Sequence, residues 1–305
     1  MTAIGTLDVP AQTKARIAAF AARASFEAIR PEPADIEVLR ATFPRGTPVY
    51  VGAVASRPPA EQIATAAQLA AAGFAPVPHL AARGFASAAD LDRHLGRLVD
   101  GAGVRRVLVI AGDRAEPAGP FHAAIEAIES GLLQAHGIVE IGIAGYPDGH
   151  PRLATSELER ALDAKIETAA QTGLAVHIVT QFGFSAPAIL AWIRRLRDLG
   201  IDHPVRVGLA GPATLAGLMR YARICGVTVA AQGLARHTGL ARHAFGLMAP
   251  DETVRPLAEA AAELGDIAPH FFTFGGLATA ARWAAAAAAG RIALDRAAGF
   301  AVEPP

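Results

Sequence analysis

Eight short apolar, β-branched runs recur along the 305-residue chain, each separated from the next by a stretch of helical periodicity. They are ASFEAIR (24–30), PVYVGAV (48–54), FAPVPHL (74–80), RRVLVIAG (105–112), VEIGIAG (139–145), AVHIVTQ (175–181), VRVGLAG (205–211) and HFFTFG (270–275). Runs of this length bounded by turn residues read as strands, and apolar residues three and four apart between them read as helices. Strand starts recur at roughly 25 to 37 residues, the size of a βα unit. Ser87–Asp90 and Ser156–Glu159 have the capping-box layout, and Pro59, Pro187 and Pro212 fall where a first helical turn would begin. The spacing breaks once, before the eighth run, where VAAQGLARHTGLARHAFGLMAP (229–250) precedes a helix expected from about Glu252 to Leu264.

This alternation predicts a (β/α)8 barrel over residues 1–305, a single catalytic domain with extra helices and an insertion between strands seven and eight. An open doubly wound sheet is the competing arrangement. Such sheets carry a glycine-rich phosphate fingerprint after an early strand, and VGAVASRPP after the second run has no G-x-G-x-x-G.

Composition narrows the function classes. Twenty-eight basic residues balance 28 acidic ones, so no bulk attraction to nucleic acid or an anionic membrane is expected. The high apolar fraction comes mainly from alanine, and no window reads as an uninterrupted membrane span. The N-terminal residues lack a signal-peptide layout, which predicts a cytoplasmic protein, and a homo-oligomer is compatible with this reading. The single cysteine, Cys225, excludes an intrachain disulfide and is expected as a buried packing thiol. Lys14 and Lys165 are the only lysines, and both fall in helical stretches. A Schiff-base aldolase needs a lysine on a barrel strand, so that chemistry is excluded.

Barrel enzymes hold their chemistry where strands end and βα loops begin. Glu27, His79, Asp113 and Gln181 fall at such ends, and strand five runs into a turn carrying Tyr146, Asp148 and His150 among Pro147, Gly149 and Pro151. Their convergence on one barrel mouth marks a site. Glu27, His79, Asp113 and His150 are also chemically suited to a metal, but no H-x-H or H-E-x-x-H spacing supports one. His177 shares the parity of Gln181 and lies deeper in its strand, where a hydrogen-bonded interior histidine is expected.

These strand ends resemble the methylenetetrahydrofolate reductase family. The matching pieces are SFE (25–27), PHL (78–80), GD (112–113), AGYPDGHP (144–151), TQFGF (180–184) and HFFTF (270–274), in family order across almost the whole chain. The resemblance implies FAD as cofactor, NADH or NADPH as co-substrate and a small-molecule folate as substrate. It implies that Glu27 is the general acid and that Asp113 serves catalysis beside the pyrimidine edge of the flavin. His79, Gly112, Asp113, Tyr146, His150 and Lys165 would contact the cofactor, Lys165 at its diphosphate. Gln181 and Leu215 would contact the substrate, Leu215 where relatives carry a stacking phenylalanine. The Tyr146–Pro151 turn is then a rigid clamp over the flavin.

The chain departs from the family pattern elsewhere. Leu158, Ala161 and Ala164 stand where relatives carry polar contacts to the flavin ribose and diphosphate. Tyr50-Val51-Gly52 replaces Thr-Tyr-Gly, and Gly275-Gly276 replaces an Asn-Arg pair. Three functions stay open: a flavin-dependent methylenetetrahydrofolate reductase, run forwards or in reverse in one-carbon catabolism; a flavin-independent folate-binding barrel enzyme such as a methyltransferase; and a non-catalytic binding subunit.

Overall fold

The computed structural model describes residues 9–225, 247–295 and 299–303. Eight parallel strands close into a barrel in sequence order: β1 (Ser25–Ala28), β2 (Pro48–Val51), β3 (Ala75–Ala81), β4 (Arg106–Ile110), β5 (Glu140–Gly145), β6 (Ala175–Thr180), β7 (Val205–Ala210) and β8 (Ile267–Phe272). Closure is made by β8 pairing back on β1, with Ser25 opposite His270 and Phe26 opposite Phe271. Around the barrel lie α1 (Val9–Ala21), α2 (Pro33–Thr42), α3 (Pro59–Ala71), α4 (Ala88–Ala102), α5 (Ala124–Glu129), α6 (Leu132–Ala135), α7 (Thr155–Gln171), α8 (Ala186–Asp198), α9 (Leu215–Cys225), α10 (Asp251–Ala260) and α11 (Leu277–Ala288). The chain ends in a hairpin, β9 (Ile292–Leu294) and β10 (Phe300–Val302), which the periodicity does not suggest.

Strand parity explains why the runs are apolar nearly throughout: in a parallel barrel both faces are covered. Outward residues such as Val49, Val107, Val109, Ile141, Ile143 and Val207 pack beneath the helices in one core. Inward residues of the opposite parity, Tyr50, Val77, Leu108 and Val179, form a separate plug inside the barrel. The helices supply their apolar stripe at three- and four-residue spacing, as with Leu91, Leu95 and Leu98 of α4 and Ile189, Ile193 and Leu196 of α8. Alanine has its use in α11, where Ala280, Ala281, Ala284 and Ala287 are buried and α11 packs closely on α2.

Several boundaries differ from expectation for local reasons. The eighth strand begins at Ile267, because Pro269 sits in parallel register opposite Val207 without ending it, and stops at Phe272. α4 starts as predicted, with the Ser87 side chain accepting from the Asp90 amide. The Asp90 carboxylate returns to the Ala86 amide rather than to Ser87. α7 starts two residues earlier than Ser156 implied: Ala154 is its N-cap and the Glu157 carboxylate accepts from the Ala154 amide at 2.7 Å. Pro59 and Pro187 open α3 and α8, whereas Pro212 lies ahead of α9, which begins at Leu215 with Thr214 Oγ1 accepting from the Gly217 amide. α10 ends at Ala260, short of Leu264. The Cys225 side chain and most of the 229–250 insertion lie outside the described residues.

Candidate active site at the barrel mouth

The barrel interior is polar at its floor. Glu140 opens β5, with its Oε2 3.8 Å from Arg106 Nε and its Oε1 2.7 Å from His177 Nδ1. That neighbour, then Arg106 and Arg206, hold the Glu140 carboxyl below its ordinary pKa against the opposing pull of burial. With the ring proton on the Nδ1 side, His177 Nε2 accepts from the Tyr50 hydroxyl at 2.7 Å. The expected interior role of His177 therefore holds, and Gly142 leaves the room for it: a Cβ there would meet His177 Nε2 at 2.7 Å. Above this floor Tyr50 packs edge-on against His270, ring centroids 4.5 Å apart, and His270 Nδ1 lies 3.0 Å from Ser25 Oγ.

Glu27 stands at the end of β1, in register with Tyr50 on β2. Its Oε2 is buried with no hydrogen-bond partner among the described residues, and burial pushes the carboxyl up to about 7. Thr273 Oγ1 donates to the Glu27 carbonyl at 2.8 Å, tying the end of β8 to β1. Gly52 approaches from β2, where a Cβ would lie 3.2 Å from Glu27 Oε1. Of the two family-pattern departures on β2, Tyr50 joins the plug inside the barrel and Val51 the core beneath the helices.

On one side of Glu27 lies a cavity of about 470 Å³ at the ends of β2, β3 and β4. His79, Ile110, Gly112 and Asp113 line it. Burial lowers His79 to about 4, so its ring is neutral, and its Nε2 is buried without a partner among the described residues. Gly112 takes a left-handed φ of +89°, and a Cβ there would come within 2.9 Å of Ala81 Cβ. Gln62 of α3 fastens this side: its amide nitrogen donates to the carbonyls of Val51 (2.9 Å) and His79 (3.0 Å). Its Oε1 accepts from His94 Nε2 on α4 at 2.9 Å.

Next around the rim comes the turn after β5. The Tyr146 and His150 rings meet edge to face at 5.3 Å, the Gly149 amide donates to the Tyr146 carbonyl, and Gly149 has φ +79°. Burial, then the Asp113 carboxylate, raises the Tyr146 hydroxyl, so the ends of β4 and β5 share one electrostatic environment. Lys165 follows on α7, half-buried, with no carboxylate in ion-pair reach among the described residues, and burial lowers its amine to about 8. Lys14 lies on α1, so neither lysine is on a strand.

The far side of the mouth, over β6 to β8, is aromatic. Phe182 contacts Phe184, Phe272 and Phe274, and Phe274 stacks on Tyr221 at 4.5 Å. Phe274 holds a left-handed φ of +52°, the one such non-glycine residue among those described, at the end of β8. Gln181 stands at the edge of this wall with its Oε1 accepting from the Phe182 amide at 3.0 Å. Leu215 is 38 % exposed on α9. Glu27, on β1, closes the ring between the aromatic wall and the cavity.

The strand-end residues thus gather on one mouth, with Lys165 and Leu215 farther out on helices. Glu27, His79, Asp113 and His150 do not form a metal-ligand cluster among the described residues. Sequence reasoning passed over Gln62 and His94, which give no local signal, and named Tyr50 only as a departure from the family pattern, though strand parity with Glu27 could have marked it as an interior residue. The residues suit a flavin at its ring end, where His79, with its buried and unpartnered Nε2, lines a walled cavity. Along α7, Leu158, Ala161 and Ala164 put no polar group beside Lys165.

A closed parallel barrel with ionisable groups at the carboxyl ends of its strands defines an α/β-barrel of the kind that carries enzyme sites. The chain belongs to the methylenetetrahydrofolate reductase family, described as Methylenetetrahydrofolate reductase, whose sequence model matches residues 34–243. It is therefore related to folate enzymes. A curated relative, methylenetetrahydrofolate reductase 2 of Saccharomyces cerevisiae, is 29 % identical over 86 residues, which cover 27 % of this chain and 14 % of the yeast protein. Among solved structures, an uncharacterised protein from Clostridium thermocellum that binds two copies of 5-methyl-5,6,7,8-tetrahydrofolic acid has the same fold, with a TM-score of 0.54 at 12 % identity. That likeness covers 87 % of this chain and 93 % of the other. Dihydropteroate synthase from Thermus thermophilus aligns with a TM-score of 0.46 at 18 % identity, over 86 % of this chain and 90 % of that one. No helix among the described residues is long and apolar enough to cross a membrane.

Proposed function

We propose that the protein is a flavin-dependent methylenetetrahydrofolate reductase that interconverts 5,10-methylenetetrahydrofolate and 5-methyltetrahydrofolate, with NADH or NADPH as co-substrate. The observation that carries this reading is the Glu27 carboxyl, unpartnered, raised to about 7 and set between the two halves of the mouth in a chain of this family. A carboxyl that keeps its proton near neutral pH can donate it to the bridging nitrogen of the folate one-carbon ring and open that ring. The Gln181 amide offers a paired donor and acceptor to a pterin edge, once its Oε1 turns from the Phe182 amide, and the phenylalanine wall supplies ring faces. His79, Gly112, Asp113, Tyr146 and His150 would hold a flavin ring, which when bound supplies hydride to the opened folate. The neutral His79 ring adds no cation there, and Asp113, which lines the same cavity, would contact both cofactor and substrate.

Purified protein is expected to bind FAD with flavin absorbance, to bleach with NADH or NADPH, and to recover colour with methylenetetrahydrofolate. Protein that stays colourless, with no saturable FAD binding, would remove the flavin from this reading. A flavin-independent folate enzyme would then take its place, favoured by the apolar Leu158, Ala161 and Ala164 face of α7.

A further inference from the structure

The cavity beside His79 continues outward between α3 and α4, well past the strand ends. Its inner end is His79 and Gly112; one outer wall is the first turn of α3, from Pro58 to Ile63, and the other is Asp90, Arg93, His94 and Arg97 of α4, with Arg114 at the rim. We infer that this cleft, rather than the face of α7, seats the diphosphate of the dinucleotide the protein uses. The inference rests on the dinucleotide-dependent reading above and relocates the phosphates within it.

Four features converge on that ligand chemistry. First, the N-cap of the 13-residue α3 is Pro58, followed by Pro59, and no side chain caps it. Pro58 and Pro59 have no N–H and the Glu61 amide donates to the Pro58 carbonyl, so it is the Ala60 amide, with the partial positive charge of that helix end, that is available to an anion. Second, four guanidinium groups line the space against three carboxylates, those of Glu61, Asp90 and Asp113. Arg57 and Arg93 pair with near neighbours in the chain, Glu61 at 2.9 Å and Asp90 at 3.3 Å. Such exposed pairs are worth little and yield to a stronger acceptor. Arg97 and Arg114 have no carboxylate in ion-pair reach among the described residues, and a diphosphate matches the fork of a guanidinium. Third, His79 lines the inner end, and its buried Nε2 has no hydrogen-bond partner among the described residues, so a polar ligand group would satisfy it there. Fourth, Ile29, Ile63 and Phe85 alternate with these polar groups, giving ring-sized apolar wall beside the charges. A dinucleotide has both parts. Along α7, by contrast, Leu158, Ala161 and Ala164 are apolar, and the cations near Lys165 in the chain are Arg152 and Arg160.

The same chemistry is presented by FAD and by NAD(P)H, and binding measurements separate them. ADP-ribose, FAD and NADH are each titrated calorimetrically into the full chain, into an Arg97→Ala/Arg114→Ala double variant and into Lys165→Ala. Arg97 and Arg114 are both surface-exposed, and an unchanged thermal melt confirms that the double variant folds. ADP-ribose is expected to bind the parent protein, and the double variant to weaken it roughly ten-fold or more. Whichever of FAD and NADH weakens in step is the cleft's occupant, and Lys165→Ala should shift that ligand by less than about two-fold. The assignment is overturned if ADP-ribose does not bind at millimolar concentration, if Lys165→Ala carries the loss, or if the double variant loses nothing. A loss confined to 5-methyltetrahydrofolate, titrated into the same three proteins, also overturns it, and gives the arginines to the folyl carboxylates. ADP-ribose binding needs no turnover, so failure of the reductase reading and failure of this assignment are separately visible.

Discussion

Burial pushes the Glu27 carboxyl up to about 7, and its Oε2 meets no hydrogen-bond partner among the described residues, so the group holds a proton into the neutral range. Glu27→Gln keeps the shape of the group and removes the acidic proton. Folate turnover in the variant is expected to fall by on the order of 100- to 10,000-fold, while bleaching by the nicotinamide persists. The two half-reactions are followed separately by flavin absorbance, and equal slowing of both would make Glu27 a binding or structural group. In the parent protein the acid-dependent half-reaction should decline as pH rises through about 7, the direction in which the proton is lost. The same raised pKa bears on stability. An uncharged buried carboxyl is fully tolerated below its ordinary value of 4.5, and that advantage is lost as pH rises through about 7.

At the scale of elements, the cavity depends on α3 holding the ends of β2 and β3 at fixed separation. Gln62 does this with two donated bonds to strand carbonyls and one accepted from His94. Gln62→Leu would fill the same space and leave those partners buried and unpaired. We expect a loss of about 2–4 kcal/mol in chemical denaturation, since each unsatisfied buried group costs about 1–3 kcal/mol. Ligand affinity should fall with it, because Gly52 and His79 lie beside the two carbonyls that Gln62 holds. Wild-type stability in the variant would mean that strand pairing alone fixes the cavity wall. The turn after β5 needs less support from elsewhere, since the Gly149 amide and Tyr146 carbonyl close it locally.

Across the whole molecule, the barrel buries neutral histidines along its axis. Burial lowers His79 to about 4 and His270 to about 3, and lowers His177 against the opposing Glu140. In the unfolded chain these rings take protons near 6.5, so acidification favours unfolding. Each contributes stability that is present above 6.5 and is lost as pH falls toward its folded value. The slope is about 1.4 kcal/mol per pH unit for each histidine that remains neutral in the fold. Denaturation measured from about pH 7 to about pH 5 should therefore show stability falling above the carboxylate range, and a His79→Asn/His270→Asn double variant should flatten that slope. An unchanged slope would place the pH dependence in other buried histidines, His177 and His94 among them.

The sequence by itself determined the barrel, because alternating strand and helix periods leave a parallel sheet few ways to cover both faces. It also marked the mouth, since strand-end residues such as Glu27, His79 and Gln181 are set by strand parity and length alone. The Tyr146–His150 turn was legible for the same local reason: two prolines and two glycines dictate a sharp bend. What only the tertiary structure decided are the relations among distant residues. Gln62 and His94 look like ordinary helix residues until α3 and α4 are brought against β2 and β3. Tyr50 and His177 are 127 positions apart, and their hydrogen bond exists only because β2 and β6 face each other across a closed barrel. The early start of β8 at Ile267 and the capping of α7 by Glu157 were settled by pairing and by backbone geometry. The raised carboxyl of Glu27 follows from which donors fail to reach it, and no reading of neighbours along the chain contains that fact.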